Sequence, residues 1–336
     1  MGSRKTKVPD FAKLTGGKKA AQPKFIEPSL ATLEADTPAG ASWIHEIKFD
    51  GYRIQARLER GKAAMLTRRG LDWTARFSTL ANAIEELPLA SAMLDGEVVV
   101  NDEKGVSSFT GLQAALKAGK QDQMTYMVFD IMFAQGLSLL AVPLKERKTA
   151  LKALVSTLPA TSPIKFSDHL HMSSEQLLKH ACRLGLEGIV SKQADGLYIS
   201  GRGLHWIKSK CSQRQEFVVV GYVPSNAIDK AIGSLVLAYY DKGTLVHVGR
   251  VGTGYTNKLA GELFDTMSRL HSVQPTFKSP LATADRRGVK WVAPKLVAEI
   301  EYRGWSSDNL LRHAAFKGLR EDKPAIEVRL EEEAKT

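Results

Sequence analysis

The chain has 336 residues, of which 43% are hydrophobic and 25% charged, and a formal net charge of +11. This is the composition of an ordinary globular protein long enough for two domains. It contains no apolar run near the ~20 residues that a helical membrane span needs and no secretory segment, so the cytoplasm is expected. The basic excess favours a polyanionic partner, above all nucleic acid.

The residues from 1 to 211 show a basic start followed by alternating strand and helix patterns. Residues 1–24 are rich in lysine and poor in aromatic residues, which predicts a flexible basic leader or linker. Hydrophobic periodicity then predicts the following elements. The strands are Trp43–Asp50, Tyr52–Leu58, Ala63–Thr67, Met93–Val100 and Met124–Phe133. The helices are 74–87, Phe109–Ala118, Pro143–Leu158 and 173–185.

From residue 212 onward the pattern changes to short β-rich runs, so we predict one domain over 25–211, a second over 212–330 and a tail over 331–336. The second domain combines one helix with five strands, as in a small, partly open barrel such as the OB-fold. The predicted helix is Asn257–Leu270, and the predicted strands are Phe217–Val223, Ser234–Tyr240, Leu245–Val251, Leu296–Tyr302 and Ile326–Leu330.

The two cysteines of the chain are Cys182 and Cys211. They form no CxxC pair and no Cys/His spacing suited to zinc. We therefore expect two separate buried thiols and no zinc site.

The segment Lys48-Phe49-Asp50-Gly51 places a lysine beside a carboxylate near the end of a predicted strand. Strand alternation puts Lys48 and Asp50 on one face. A lysine attacks phosphorus only as the neutral amine, and keeping it neutral at pH 7 costs about 4–5 kcal/mol. A catalytic site must therefore lower its pKa by burial, neighbouring cations or a metal ion. Taken alone, the pattern is more typical of a surface Lys–Asp pair on an amphipathic strand than of a catalytic lysine.

Further motifs follow in order along the chain. They are Lys48-x-Asp50-Gly51-x-Arg53, Thr67-Arg68-Arg69-Gly70, Asp95-Gly96-Glu97, Tyr126-x-x-Phe129-Asp130, Glu187-Gly188-Ile189-Val190-x-Lys192, Trp206-x-Lys208-x-Lys210 and Arg320-Glu321-Asp322-Lys323. This series resembles the ATP-dependent DNA ligases of the covalent nucleotidyltransferase superfamily, in particular the ligase component of bacterial ligase D, which acts in non-homologous end joining. The resemblance implies an α+β fold. It consists of a nucleotidyltransferase domain with ATP-grasp-like antiparallel sheets and helices, followed by an OB-fold β-barrel.

The resemblance also implies a reaction in three steps with ATP and Mg²⁺ or Mn²⁺ as cofactors. Lys48 would attack the α-phosphate of ATP to form lysyl-AMP, the AMP would pass to a DNA 5′-phosphate, and a 3′-hydroxyl would then displace it. Positioning and charge neutralisation dominate such phosphoryl transfer.

Roles for the aromatic and acidic residues follow from the same resemblance. Glu46 would accept a hydrogen bond from the adenine amino group and favour ATP over GTP, and Phe129 would stack on the purine. Glu97 would hold the ribose or a metal-bound water, and Glu187 would hold Mg²⁺. Without the resemblance, an aromatic residue of a core strand and isolated solvated carboxylates explain these residues.

The basic residues are assigned to phosphates in the same way. Lys208 and Lys210 would neutralise the α-phosphate and help to depress the pKa of the nucleophile. Arg53, Arg68 and Arg202 would bind nucleotide and DNA phosphates, which the planar guanidinium grips bidentately.

In the second domain, Arg320, Asp322 and Lys323 would swing onto the pyrophosphate for the first step and away for sealing. No helical DNA-binding domain is expected before residue 25. The grip on nicked or broken duplex DNA would then come from the two domains, the leader or a partner, such as a Ku-like end-binding protein or polymerase modules. We expect a monomer in the bacterial cytoplasm or nucleoid.

Two alternative functions remain open at this point. An RNA ligase or a GTP-dependent capping enzyme would share Lys-x-Asp-Gly, but Glu46 and Arg320-Glu321-Asp322-Lys323 disfavour both. A non-catalytic DNA-end scaffold would bind DNA in a salt-sensitive way without forming a covalent AMP. The complete set of nucleophile, carboxylates and lysines disfavours it.

Overall fold

The computed structural model describes residues 8–170 and 172–331. The chain divides into two compact units, and the division falls between Cys211 and Ser212. Among the described helices, none is long and apolar enough to cross a membrane. The first seven residues of the expected leader and residues 332–336 of the expected tail lie outside the described part of the chain.

Unit 1, the part up to Cys211, is built mainly from strands, and the strands and helices predicted from periodicity are confirmed with shifted ends. Its strands are β1 (Lys18–Lys19), β2 (Ser29–Leu33), β3 (Trp43–Lys48), β4 (Tyr52–Glu59), β5 (Lys62–Thr67), β6 (Ser91–Val99), β7 (Thr125–Ala134), β8 (Leu137–Ser138), β9 (Ile164–Phe166), β10 (Gly188–Gln193) and β11 (Gly201–Lys210). Its α-helices are α1 (Ser78–Glu85), α2 (Phe109–Lys117), α3 (Leu144–Val155) and α4 (Ser174–Arg183).

Two sheets form the frame of unit 1. The larger has the strand order β1-β8-β7-β6-β4-β5, with β9 beside β7, and the smaller has the order β2-β11-β10-β3. Neighbouring strands are antiparallel except β9 on β7 and β2 on β11. Sequentially distant strands thus become neighbours, which brings residues 48 and 188 side by side.

The main apolar core of unit 1 is built on the larger sheet. Leu144, Leu151 and Leu154 of α3 are fully buried because they lie on one stripe of the helix. Each fully buried leucine contributes roughly 1.5–3 kcal/mol of transfer free energy. This packing holds α3 against β7 and β9.

Helix α4 covers one face of the smaller sheet. Leu177 and Ala181 of the helix pack with Ile189 of β10 and Ile47 of β3. Because side chains alternate along a strand, the residues on either side of Ile47 project from the opposite face. That opposite face carries the candidate site.

The two cysteines are joined in a disulfide, so the expectation of two separate thiols is wrong. Cys182 in α4 and Cys211 just after β11 have Cα atoms 5.1 Å apart. Helix α4 packs on β10, and β11 is the next strand of the sheet. The disulfide therefore ties α4 to the last residue of unit 1, a contact that no local sequence pattern indicates.

Residues 8–24 do not form the flexible leader that their composition predicts. Phe11 is 1% exposed within the core, and β1 extends the larger sheet by pairing with β8. The side-chain amide of Gln22 donates to the carbonyl groups of Leu58 and Ala92. The buried aromatic ring and these backbone contacts dock the segment despite its lysines.

Unit 2, the part from Ser212, contains a five-stranded sheet of order β14-β13-β12-β15-β18 and, as predicted, a helix in its middle. Its strands are β12 (Gln213–Pro224), β13 (Ile232–Asp241), β14 (Thr244–Val251), β15 (Lys290–Tyr302), β16 (Gly304–Trp305), β17 (Leu311–Arg312) and β18 (Ala315–Arg320). Its helices are α5 (Asn257–Ser268) and α6 (Thr283–Arg286).

The prediction of the fifth strand in unit 2 is wrong. The segment predicted as strand Ile326–Leu330 begins in a 3-10 turn, Ala325–Glu327, in which the backbone N–H of Glu327 donates to the carbonyl of Pro324. The fifth strand is instead β18, which pairs with β15 and buries Phe316. Proline favours a turn over a continuing strand here because it lacks an N–H and fixes φ.

Candidate functional site

One face of the smaller sheet of unit 1 gathers the predicted basic and acidic residues. In the strand register, Lys48 lies opposite Gly188 and Gly188 opposite Lys210, while Glu46 and Lys208 flank Val190 in the same way. Directly paired residues share a face. Lys208 and Lys210 therefore lie on the same face as Glu46 and Lys48. They are two strands away from β3, a separation of roughly 9–10 Å.

The predicted nucleophile is paired with a predicted carboxylate. The Lys48 Nζ atom lies 2.6 Å from Glu187 Oε1, and the two side chains are 23% and 8% exposed. Glu187 directly precedes β10, where Gly188 has a φ of +150° and a Cβ atom would lie 2.2 Å from the carbonyl oxygen of Ser209. Only glycine permits this approach, which brings Glu187 beside the end of β3.

The surroundings of the Lys48 amine are acidic. Burial lowers the pKa of Lys48, but the carboxylates of Glu187, Glu97 and Asp50 outweigh burial and raise this pKa above its ordinary value. The Asp50 carboxylate is itself fixed, since it accepts a hydrogen bond from the backbone N–H of Phe109 at the start of α2. The expectation that the protein's own groups lower the pKa of Lys48 is therefore wrong.

Glu46 is buried and surrounded by hydrogen-bond donors. Its Oε1 atom lies 2.9 Å from the Lys148 ammonium and 3.0 Å from the Lys192 ammonium. Its Oε2 atom accepts a hydrogen bond of 2.9 Å from the Ser167 hydroxyl. Burial raises the pKa of Glu46, but the two lysines outweigh burial and lower it, so the carboxylate is ionised.

Lys148 belongs to this site although no motif contains it. It lies four residues after Leu144 and three before Leu151, on the apolar stripe of α3, and it is 2% exposed. A lysine on such a stripe needs a buried partner, because an unpaired buried charge is strongly unfavourable. That placement is the sequence signal for its role.

Phe129 lies in a cluster of aromatic rings and cations. Its ring centroid is 6.0 Å from that of Trp206, and the Lys192 ammonium lies 4.3 Å from both centroids. The guanidinium of Arg53 lies 5.4 Å from both rings. Burial lowers the pKa of Lys192 to about 8, because it exceeds the opposing effect of Glu46.

Arg53 is held by protein oxygens. Its Nε and Nη2 atoms donate to the two carboxylate oxygens of Asp95 at 3.0 and 2.6 Å, and Nη1 donates to the carbonyl of Ser29 at 2.6 Å. The Tyr198 hydroxyl also donates to Asp95. These contacts use three of the five N–H groups of the guanidinium, and the phosphate contact predicted for Arg53 stays a prediction.

The other predicted arginines of unit 1 lie farther along the sheets. Arg68 follows β5, and Arg202 lies on β11, where its Nη1 atom donates to the carbonyl of Ala31. Their role as phosphate ligands stays a prediction.

The predicted tail residues form ion pairs within unit 2. Arg320 Nε and Nη2 each donate to an Asp322 oxygen at 2.8 Å, and Nη1 donates to Glu299 at 3.0 Å. Lys323 donates to Glu216 at 2.7 Å. These groups lie together as the motif predicts, and their role toward pyrophosphate stays a prediction.

The described residues contain no group of three or more His, Cys, Asp or Glu side chains placed to hold a metal ion. Mg²⁺ commonly uses only one or two carboxylates together with water and substrate phosphates. Glu187 and Glu97, the hard oxygen donors beside Lys48, fit that requirement.

The two units and the lysine-centred site are those expected of the covalent nucleotidyltransferases that the motifs resemble. Two protein-family models match the chain, "ATP dependent DNA ligase domain" over residues 28–210 and "ATP dependent DNA ligase C terminal region" over residues 229–323. The chain belongs to the ATP-dependent DNA ligase family, as its motifs predict.

Named relatives and solved structures agree with this assignment. The chain is 40% identical over 319 residues to the multifunctional non-homologous end joining protein LigD of Pseudomonas aeruginosa, covering 93% of the chain and 37% of that protein. It is 34% identical to the LigD protein of Mycolicibacterium smegmatis, covering 92% and 40%. The structure of "mycobacterial DNA ligase D complexed with ATP and MES" superposes with a TM-score of 0.70 at 30% identity, covering 92% of this chain and 99% of that one. The chain thus spans less than half the length of these LigD relatives.

Proposed function

We propose that the protein seals nicks or ends in duplex DNA at the expense of ATP, with Lys48 as the covalent nucleophile. The observation that supports this most strongly is the Lys48–Glu187 pair at 2.6 Å. It lies on the sheet face that also carries Glu46, Lys208 and Lys210. The solved relative in complex with ATP supports the choice of nucleotide.

The first step joins AMP to the protein. The Lys48 amine gives up a proton, for which Glu187 is an acceptor in direct contact. The amine then attacks the α-phosphorus, so that a nitrogen–phosphorus bond forms while the bond from that phosphorus to the bridging oxygen breaks and pyrophosphate leaves. Glu46 binds the adenine amino group, and Phe129 stacks on the base.

Glu187 and Glu97 are the carboxylates that would hold Mg²⁺ or Mn²⁺. A bound metal ion neutralises phosphate charge, and near these carboxylates it would also reverse the effect that raises the pKa of Lys48. Lys208 and Lys210 add positive charge for the α-phosphate from two strands away.

The second and third steps act on DNA. An oxygen of the DNA 5′-phosphate attacks the AMP phosphorus and the bond to Lys48 breaks. The 3′-hydroxyl then attacks the DNA phosphorus and AMP leaves. Arg68 and Arg202 would bind DNA phosphates. Unit 2 would act as an OB-fold domain that brings Arg320 and Lys323, with Asp322, to the pyrophosphate.

We extend the proposal to the end joining for which the relatives are named. The partners would be nicked or broken duplex DNA, a Ku-like end-binding protein and polymerase modules. The net charge of +11 suits a polyanionic substrate.

The test uses ATP labelled on the α-phosphate, a divalent metal ion and denaturing electrophoresis. Wild-type protein should retain label, and Lys48→Ala should retain none while binding nicked DNA as before. Labelled GTP, and nicked RNA in place of DNA, should react poorly; preference for either would favour an RNA ligase or capping enzyme. DNA binding without labelling would instead indicate a non-catalytic scaffold.

A further inference from the structure

We propose that Lys148 is a positioning residue that sets nucleotide specificity by holding the Glu46 carboxylate in one orientation. It acts together with Lys192 and Ser167, and we call these three residues the Glu46 clamp. The inference rests on the proposed function, in which Glu46 contacts the purine amino group.

The contacts of the Glu46 clamp divide between the two carboxylate oxygens. Lys148 and Lys192 both approach Oε1, at 2.9 and 3.0 Å, while the Ser167 hydroxyl donates to Oε2. Both lysines and Glu46 are 2% exposed. A carboxylate in such a place is ionised only while its cationic partners remain, so the clamp maintains its charge as well as its direction.

The contacts of Glu46 place the two cations on Oε1 and a single hydrogen bond on Oε2. An ionised carboxylate offers about four lone-pair positions, two on each oxygen. Both ammonium groups lie against Oε1 as ion-pair partners, and the Ser167 hydroxyl occupies one position on Oε2. The other position on Oε2, away from the cations, suits one N–H donor. It accepts from the 6-amino group of adenine and repels the 6-carbonyl oxygen of guanine or hypoxanthine.

Lys148 is itself anchored on several sides. Its Nζ atom donates to the backbone carbonyl of Ser167 at 2.8 Å and lies 4.6 Å from the centroid of the Phe166 ring. Lys148 therefore links Glu46 to the segment that supplies the hydroxyl on Oε2. Lys192 links Glu46 to the Phe129 ring, 4.3 Å away. The clamp thereby couples the polar contact of the base to its stacking surface.

The experiment measures kcat and KM for protein adenylylation with ATP and with ITP, which carries a carbonyl oxygen in place of the 6-amino group. The test variant is Lys148→Met. The matched control is Lys152→Met, one helical turn later, whose 59% exposed side chain pairs with Asp168 at the surface. Circular dichroism and thermal melting report folding.

Wild type and Lys152→Met should share one ATP-over-ITP ratio of kcat/KM, and in Lys148→Met this ratio should fall at least tenfold, mainly through a higher KM for ATP. Lys148→Arg, which keeps the charge, should restore much of the ratio. If Lys148 had a purely structural role, its replacement would lower kcat/KM equally for ATP and for ITP. If Lys148→Met does not fold, Ser167→Ala takes its place as the test variant. It removes the hydroxyl bound to Oε2 and frees a second acceptor position there, which should also lower the ATP-over-ITP ratio.

Two results overturn the inference while the proposed function stands. One is an unchanged ATP-over-ITP ratio in folded Lys148→Met, or in Ser167→Ala when that variant decides. The other is a wild-type protein that does not distinguish ATP from ITP. By contrast, a wild-type protein that acquires no AMP at Lys48 contradicts the proposed function itself.

Discussion

At the scale of residues, the pKa values of two lysines of unit 1 are shifted in opposite directions. Carboxylates outweigh burial and raise the pKa of Lys48, whereas burial lowers the pKa of Lys192 to about 8. On pKa alone Lys192 would be the better nucleophile. Its ammonium lies between two aromatic rings and is paired with Glu46, whereas Lys48 is more exposed and lies beside the carboxylates suited to a metal ion.

Replacing Glu187 with glutamine should lower the pKa of Lys48, because the nearest carboxylate that raises it is removed. The measurement is the pH dependence of Lys48 labelling by an amine-specific reagent, quantified by mass spectrometry without nucleotide or metal ion. Half-maximal labelling should move to lower pH than in wild type. Lys62, which is 85% exposed, serves as an internal reference. Identical profiles would show that Glu187 does not control the amine.

Lys192 should make the protein more stable as the pH rises from about 8 toward 10.5. Its folded-state pKa is below the value of 10.5 for a free side chain, so the unfolded chain binds more protons in this window and unfolding becomes less favourable with pH. Below about pH 8 this gain is absent. The full gain is about 3 kcal/mol. Urea denaturation should show that the free energy of unfolding rises more steeply with pH for wild type than for Lys192→Met. Parallel curves would contradict the lowered pKa of Lys192.

The site residues that can be recognised from sequence are those with a fixed place in a motif. Glu46, Lys48 and Glu187 are predictable because their spacing resembles that of a known family. Lys148 is not, since it reaches Glu46 from a helix about a hundred residues away. Only its place on an apolar stripe marks it as a buried cation, and the partner of a buried cation depends on tertiary packing.

At the scale of elements, strands β3 to β7 and the α-helices of unit 1 could be predicted because their apolar periodicity is strong. The edge strand β1 and the disulfide could not, since each depends on a distant partner. In unit 2, the sequence pattern predicts the fifth strand at residues 326–330, but this strand is formed by β18. Residues 326–330 have suitable composition, but Pro324 starts a turn just before them.

Reducing the disulfide between Cys182 and Cys211 should destabilise unit 1. The sequence separation is 29 residues, for which loop-closure entropy gives about 3–4 kcal/mol. Thermal unfolding with and without dithiothreitol should show a lower Tm for reduced wild type. The double variant Cys182→Ala/Cys211→Ala should be insensitive to the reductant. A wild-type Tm that does not respond would indicate that the two cysteines are not bonded in solution.

The assignment of β18 as the fifth strand can be tested with a matched pair of substitutions. Phe316 is 2% exposed whereas Ile326 is 55% exposed. Phe316→Ala should cost about 3–5 kcal/mol of unfolding free energy, and Ile326→Ala should change it by less than about 0.5 kcal/mol. Urea denaturation measures both. The reverse order of effects would favour residues 326–330 as the fifth strand.

At the scale of the whole molecule, the order of motifs along the chain is sufficient to predict the family. Strand pairing explains how motifs that are distant in sequence form one site, since it places residues 48, 188 and 210 in one row across three strands. The ion pairs inside each unit could not be predicted from the sequence. They engage Arg53, Arg320 and Lys323 with protein carboxylates, and such pairs depend on side-chain geometry.

The assignment of Lys48 as the nucleophile is tested by locating AMP on the protein. Wild-type protein is incubated with ATP and a divalent metal ion, digested with a protease, and mapped by mass spectrometry. AMP is expected on the peptide that contains Lys48, joined through its amine. AMP on Lys192, or on no lysine at all, would contradict this assignment.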